Sequence, residues 1–404
     1  MNSKMRFIRD KFEYLILNII DFLDLIVFKV IFLFTKKTNQ KKPIWLFAER
    51  EEDARDNGVM MFEYVTKNYP EIDAYYVISK KAIETLDYER VANIGNLVHR
   101  KSMQHKKLFI NSSILVSAHF RGSIEPWRER IMKILYSAYY KKKFVFLQHG
   151  IIKDDLSRHV DKAVSRFDLF ICGAKPEYDY LLRTLEYTEK ELKYTGLARY
   201  DFLHNIETKN QILLMPTWRR KIACDKINNK MEVFQKTDYF KKYQELINNK
   251  KLLDFLEKNN IELVFYLHAE MQKYRKYFTT DSRSVVIASI EEYDIQTLLK
   301  ESKLLITDYS SVFFDFAYMN KPTIYYQFDE EDFFGSQYDK GYFDYRDNGF
   351  GDVVTQKRAL LEAIKKVVNN NFEMEEKYKE RIKGFFVLHD EKNRERIYNE
   401  IIKL

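Results

Sequence analysis

The chain has 404 residues, 46% of them hydrophobic and 32% charged, a balance that fits a folded globular protein and excludes disorder as its main state. Eleven glycines and six prolines exclude collagen-like and Pro/Gly-rich classes, and two distant cysteines, Cys172 and Cys224, make neither a disulfide framework nor a zinc cluster. The net charge of +8 suits anionic partners such as phosphates, nucleotides or anionic lipid without choosing among them.

Residues 13–35, EYLILNIIDFLDLIVFKVIFLFT, form the most apolar stretch. Asp21, Asp24 and Lys29 interrupt it, and a bilayer span needs about 20 mostly apolar residues. No small-residue cleavage site follows, which argues against a secretory signal. Lys4, Arg6, Arg9 and Lys11 precede it, and Lys36, Lys37, Lys41 and Lys42 follow. An apolar helix with basic flanks suits an interfacial position on an anionic leaflet. The competing reading is a helix packed on the protein's own core. Residues 1–40 are assigned to this segment.

Short apolar strands then alternate with helical stretches. Strands are expected at 43–48, 74–78, 114–118, 144–148 and 169–172, with helices at 59–67, 127–142 and 176–185. The series restarts with strands at 211–215, 262–267, 285–287, 304–307 and 323–326, a long helix at 239–259, and helices from 357 to the end. Near-continuous apolar strands alternating with helices imply parallel sheets covered on both faces. Two such series give an α/β protein of two doubly wound, Rossmann-like units, 41–205 and 206–404, facing a cleft.

In open α/β sheets, ligands sit beyond the carboxyl ends of the strands. Gln148-His149-Gly150 follows one strand; an imidazole there suits proton abstraction, and a glycine permits close backbone approach. Thr217, Arg219 and Arg220 follow another, and paired arginines suit a diphosphate. His268 is a second strand-end histidine, for phosphate binding or proton donation. Asp308, Ser310 and Ser311 precede an apolar helix, whose first N–H groups the serines are expected to cap, forming an anion site. Asp315, inside that helix, must find a partner or face the cleft. The acidic, aromatic stretch 327–352 is long for a loop and therefore functional or a surface cover; Asp329 is its candidate for ribose or polyol hydroxyls. No P-loop, G-x-G-x-x-G, H-E-x-x-H or EF-hand run occurs, so a mechanism without metal or cofactor is the simplest.

Taken together, the runs FLQHGIIKDDLS, MPTWRR, FYLHAE and ITDYSSVFFDFAYMNKPTIYYQFDEEDFF, in this order, resemble the CDP-glycerol glycerophosphotransferase family of teichoic acid and capsule enzymes. The likeness covers residues 144–352. It implies a GT-B-type fold and transfer of glycerol phosphate or ribitol phosphate from a CDP-activated donor to a hydroxyl, with release of CMP. It also implies a polyprenyl-linked acceptor and a peripheral place on the cytoplasmic membrane. By resemblance His149 is the general base, and Arg219, His268, Ser310 and Ser311 meet donor phosphate. The chain departs from the family's patterns at Gln148, Ile151 and Ala269, which bears on the acceptor more than on the reaction. Two rivals remain: a GT-B glycosyltransferase using a nucleotide sugar, and a non-enzymatic membrane-surface protein binding anionic glycopolymer. A nucleic-acid role is disfavoured by the modest charge and the lack of an RNP-type run.

Overall fold

The computed structural model describes residues 3–34, 42–128, 131–132, 142–223 and 231–404. Lys36, Lys37, Lys41, Cys224 and most of the expected helix 127–142 lie outside the described residues, as do the side chains of Lys4, Arg6, Arg9, Lys11 and Lys29.

Two parallel sheets carry the fold. The first contains β1 (Ile44–Ala48), β2 (Asp73–Ile78), β3 (Leu97–His99), β4 (Ser112–Ser117), β5 (Lys143–Phe146), β6 (Leu169–Cys172) and β7 (Leu192–Tyr194), in the order 3-2-1-4-5-6-7. The second contains β8 (Gln211–Leu214), β9 (Glu262–Tyr266), β10 (Val285–Ala288), β11 (Leu304–Thr307), β12 (Thr323–Tyr326) and β13 (Gly351–Val354), in the order 10-9-8-11-12-13. Every neighbouring pair is parallel. Both orders reverse beside the first strand of their series, at β1/β4 and β8/β11, which opens a crevice at each reversal. The central strands are buried along their whole length, which is why they read as unbroken apolar runs. This is the expected pair of doubly wound units.

The expected helix at 239–259 is two helices, Asp238–Ile247 and Lys250–Lys258. Asn249 starts the second by accepting the Leu252 N–H at 3.2 Å, and a side chain that caps also interrupts. The last helix, Asn393–Ile401, returns to the first sheet: Tyr398 stacks on Tyr69 at 3.6 Å and packs on Trp45. Asp201 anchors this return by accepting the backbone N–H groups of Asn393 and Arg394 at 2.8 and 3.1 Å.

The amino-terminal helix spans Ser3–Phe34. Asp21 and Asp24 face inward. Asp21 accepts the Arg128 backbone N–H at 3.0 Å and pairs with the guanidinium at 2.8 Å. Asp24 meets Lys106 at 2.6 Å and the Trp127 indole N–H at 2.8 Å. Asn18, Leu25 and Phe28 are buried on the same face, at the 3–4-residue spacing of one helix stripe. The opposite face exposes Phe12, Ile16, Ile19, Phe22, Leu23, Ile26 and Val30, each 42% or more accessible. One face thus packs on the protein, as the own-core reading expects, and the other is apolar and open. None of the described helices is long and apolar enough to cross a membrane.

Candidate active site

Three side chains stand in a row at the carboxyl edge of the first sheet. Ala48 pairs with Ser117, and Ser117 with Phe146. Arg50 and His119 each lie two residues beyond their paired positions, and His149 lies three beyond. Neighbouring strands are about 4.8 Å apart, so Arg50, His119 and His149 follow one another across β1, β4 and β5. The two imidazoles stack with centroids 4.8 Å apart and planes at 11°.

A strained turn presents His149. Gln148 adopts φ +47°, a left-handed conformation that costs a non-glycine residue about 1–2 kcal/mol. Its side chain turns into the protein and donates to the Ile171 carbonyl at 2.8 Å and to Glu177 Oε1 at 3.0 Å. Asn57 donates to the Gln148 carbonyl at 2.7 Å. The buried Glu177 also accepts the N–H groups of Ile152 and Gly173, at 2.6 and 2.7 Å. The turn is therefore anchored before and after His149, and Gln148 braces it.

The His149 ring is solvent-exposed but lies deep in the cleft, with protein around it. Burial, then Arg50, Arg199 and His268, push its pKa down to about 4, against a weak upward pull from the Ala118 backbone. His119 is pushed down to about 2 by burial, His149 and Arg50. Both rings are neutral at pH 7, the state in which an imidazole accepts a proton.

Across the cleft, His268 follows β9. Its Nδ1 accepts the Glu270 N–H at 3.2 Å, so in the neutral ring Nε2 carries the hydrogen and is the donor. Burial and then Arg50 lower its pKa to about 4, with Asp308 opposing. Its ring lies 6.2 Å from the Trp218 ring.

The end of β11 is organised differently from the expectation. The helix after it, Phe313–Tyr318, is short, and its N-cap is Val312, with no side-chain cap. Ser310 and Ser311 therefore do not cap it: the chain enters through a further turn, and the serine hydroxyls have no hydrogen-bond partner among the described residues. A Cβ added to Gly150 would lie 3.2 Å from Ser311 Oγ. That close approach brings the His149 turn and the serine turn together across the cleft, and a side chain at position 150 would press on the Ser311 hydroxyl.

Arg219 is a buried hub. Its Nε and Nη2 reach Asp329 at 2.8 and 3.0 Å, Nη2 reaches Asp308 at 2.7 Å, and Nη1 donates to the Thr217 carbonyl at 2.8 Å and the Trp218 carbonyl at 3.4 Å. The rings of Tyr239, Tyr309 and Phe333 lie 5.1–5.4 Å from the guanidinium carbon. Asp308, with no exposure, also accepts Thr217 N and Oγ1 at 2.7 and 2.6 Å and Tyr309 N at 2.6 Å. Arg219, Asp308, Asp329 and Thr217 thus bind one another. Arg220 is exposed, and its backbone N–H is held by Gln337 at 3.0 Å.

Asp315 does find a partner. It takes a two-pronged ion pair from Arg199 at 2.9 and 2.8 Å, and Arg199 also reaches Asp56 at 2.9 Å. One arginine from the connection between the sheets therefore ties both units. Its backbone N–H donates to Asn57 Oδ1 at 3.0 Å, which links this clip to the Gln148 turn. In the loop 327–352, Phe333, Phe343, Tyr345 and Phe350 are buried in the core of the second unit, so the loop is packed structure with a short helix, Glu330–Phe334.

Between the units lies a cavity of about 480 Å³ bordered by Arg50, Asp53, Met215, Tyr266 and His268. A second, of about 570 Å³, lies between Pro176, Arg183, Tyr342 and Phe385 and holds none of the strand-end histidines. The smaller cavity is the candidate site. Among the described residues no group of three or more His, Cys, Asp or Glu side chains is placed to hold a metal ion. The sequence reading missed Arg50, His119, Asn57, Glu177 and Arg199. Arg50 and His119 carried a usable signal, since both directly follow strands.

A family model described as CDP-glycerol:poly(glycerophosphate) glycerophosphotransferase matches residues 29–403. The minor teichoic acid biosynthesis protein GgaB of Bacillus subtilis is 34% identical over 371 residues, which are 90% of this chain and 40% of that protein. A teichoic acid poly(glycerol phosphate) polymerase of the same organism is 24% identical over 86% of this chain and 47% of its own length. The chain thus spans less than half of either relative. The solved wall teichoic acid polymerase TagF shares the fold with a TM-score of 0.64 at 17% identity, over 90% of this chain and 89% of that one.

Proposed function

The chain belongs to the CDP-glycerol:poly(glycerophosphate) glycerophosphotransferase family, and on that premise we propose that it transfers a polyol phosphate, glycerol phosphate or ribitol phosphate, from a CDP-activated donor to an acceptor hydroxyl, releasing CMP. The observation that carries this reading is the pair of neutral histidines facing the cleft, His149 as a free base and His268 with an Nε2–H to donate, beside two unpaired serine hydroxyls. The acceptor hydroxyl gives its proton to His149 as its oxygen attacks the β-phosphorus. The bond from that phosphorus to the bridging oxygen breaks, and CMP leaves with the oxygen. His268 Nε2–H and the hydroxyls of Ser310 and Ser311 donate to diphosphate oxygens as charge moves towards CMP. Catalysis comes from positioning and fixed donors, as in other phosphoryl transfers.

The acceptor in this reading is a membrane-linked glycan or polyol phosphate, reached from the cytoplasmic face. The amino-terminal helix supports that location. With Asp21 and Asp24 turned inward, the outer face from Phe12 to Val30 is largely apolar, and half-burying such side chains in lipid gains about 1 kcal/mol each.

The test is CMP release from CDP-glycerol and CDP-ribitol with a polyprenyl-linked acceptor, for the parent and His149→Ala. Loss of a general base should cut turnover at least ~100-fold with donor binding nearly intact. Equal turnover would remove His149 from the mechanism. Turnover only with a UDP- or GDP-sugar would replace the reading with sugar transfer.

A further inference from the structure

A diphosphate entering this cleft needs a cation, and the geometry narrows the choice. Arg219 has its N–H groups committed to two carboxylates and two carbonyls. Arg199 is committed to Asp315 and Asp56. Arg55 pairs with Asp87, and Lys153 with Asp154. Arg50 differs. It borders the 480 Å³ cavity together with His268, it is solvent-exposed, and its guanidinium has no ion-pair or hydrogen-bond partner among the described residues. Its neighbour Glu51 pairs with Arg100 at 3.0 Å; Glu51, Glu52 and Asp53 also border the cavity, and Asp53 lies within the field of Arg50 without forming an ion pair with it. Register sets it beside His119, which stacks on His149, at the strand reversal where such folds open their crevice.

We infer that Arg50 is the cation that binds the β-phosphoryl group of the donor, the group being transferred, opposite the His268 Nε2–H. This rests on the phosphopolyol reading above. The assignment to the β- rather than the α-phosphoryl follows from the row itself. His149 must reach the acceptor oxygen attacking the β-phosphorus, and Arg50 lies in the same row, on the first unit, with His119 between them. A guanidinium is suited to two phosphoryl oxygens at once and keeps its charge at any working pH. Its field bears on all three histidines: it lowers the pKa of His119, His149 and His268. One residue would thus hold the reacting phosphoryl and help keep the base neutral.

The experiment measures binding of CMP and of whichever of CDP-glycerol and CDP-ribitol the parent binds, by calorimetry, with the full chain carrying Arg50→Met and Arg50→Lys. Turnover is followed against pH, and the melting temperature controls for folding. The expected result for Arg50→Met is a loss of CDP-polyol affinity of about 10- to 100-fold, the range for one charge-assisted contact, with CMP affinity unchanged. The acid limb of kcat/KM should move to higher pH, because His149 then faces only Arg199, His119 and His268. Arg50→Lys should recover part of the affinity. Unchanged CDP-polyol affinity, or an equal loss for CMP and CDP-polyol, overturns the inference. A parent that binds neither CMP nor CDP-polyol overturns the phosphopolyol reading itself, and the inference with it.

Discussion

Arg219 gives the sharpest test of the site's architecture, because an arginine after a strand looks like a phosphate ligand yet is fully engaged within the protein. Consider Arg219→Met, which keeps much of the apolar length and removes the charge. The substitution deletes three charge-assisted contacts, two to Asp329 and one to Asp308. It leaves a carboxylate with no exposure facing only neutral donors. Breaking one side of a buried ion pair costs about 3–5 kcal/mol. The donors that stay on Asp308, Thr217 N and Oγ1 and Tyr309 N, favour the lower end, about 3 kcal/mol. Calorimetric melting should show the second unit unfolding well below the first, with a split transition where the parent's is closer to single. A double-mutant cycle with Asp329→Asn should give a coupling of about 1–3 kcal/mol. Ser311→Ala is the companion: its hydroxyl has no hydrogen-bond partner among the described residues, so donor affinity should fall with the melting profile unchanged. If Arg219→Met melts like the parent and loses donor binding, the arginine is a ligand and this reasoning is refuted.

Three further outcomes are expected. Gly196 has φ +79°, and an added Cβ would lie 1.9 Å from Asn393 Oδ1, so Gly196→Ala should lower stability by more than about 2 kcal/mol and loosen the returning helix, read as faster hydrogen exchange in Asn393–Ile401. His105 is unexposed, with Nδ1 accepting from Lys101 N–H at 2.9 Å and Nε2 facing the Ile124 carbonyl at 3.0 Å, and burial lowers its pKa to about 3. Between pH 3 and about 6.5 the unfolded chain therefore binds the extra proton. Its contribution to stability is complete above pH 6.5 and is lost as pH falls towards 3, by at most about 1.4 kcal/mol per unit, and denaturation of His105→Gln across that window should show a shallower slope. For the amino-terminal helix, Ile19→Glu with Leu23→Glu should abolish sedimentation with phosphatidylglycerol vesicles. Asp24→Asn should weaken the helix's hold on Lys106 and Trp127 and leave sedimentation intact; the reverse pattern would refute the lipid-facing assignment.

Most of the fold was legible in the sequence because its central strands are buried on both faces. Such strands are apolar from end to end, and β6, β11 and β12 fall at the expected residues. Three of the four edge strands were not legible; the fourth, β10, falls close to the expected 285–287. β3, β7 and β13 are three or four residues long and half-exposed along most of their length, so they carry little apolar signal and form because a neighbour offers a ladder. The amino-terminal helix shows a different limit. Its acids counted against insertion when averaged along the chain. They do not count on the outward face, because Asp21 and Asp24 lie on the stripe that docks to Arg128, Lys106 and Trp127. Mean composition measures a helix, whereas a membrane meets one side of it.

The candidate site divides in the same way. Position after a strand is a local property, and it located His149, His268 and the Ser310–Ser311 turn. Applied evenly it also reaches Arg50, which follows β1, and His119, which follows β4. What position cannot give is whether a charge is already neutralised. Arg219 stands in a basic triplet that looks free in sequence, while its carboxylates come from Asp308 and Asp329, 89 and 110 residues away. Arg50 stands among Glu51, Glu52 and Asp53, which look like its partners, yet Glu51 is taken by Arg100. The residue that seemed free is bound, and the one that seemed bound has no ion pair among the described residues. A ligand's charge selects the unpaired cation, so the phosphate contact is decided by these long-range pairings rather than by the density of arginine along the chain.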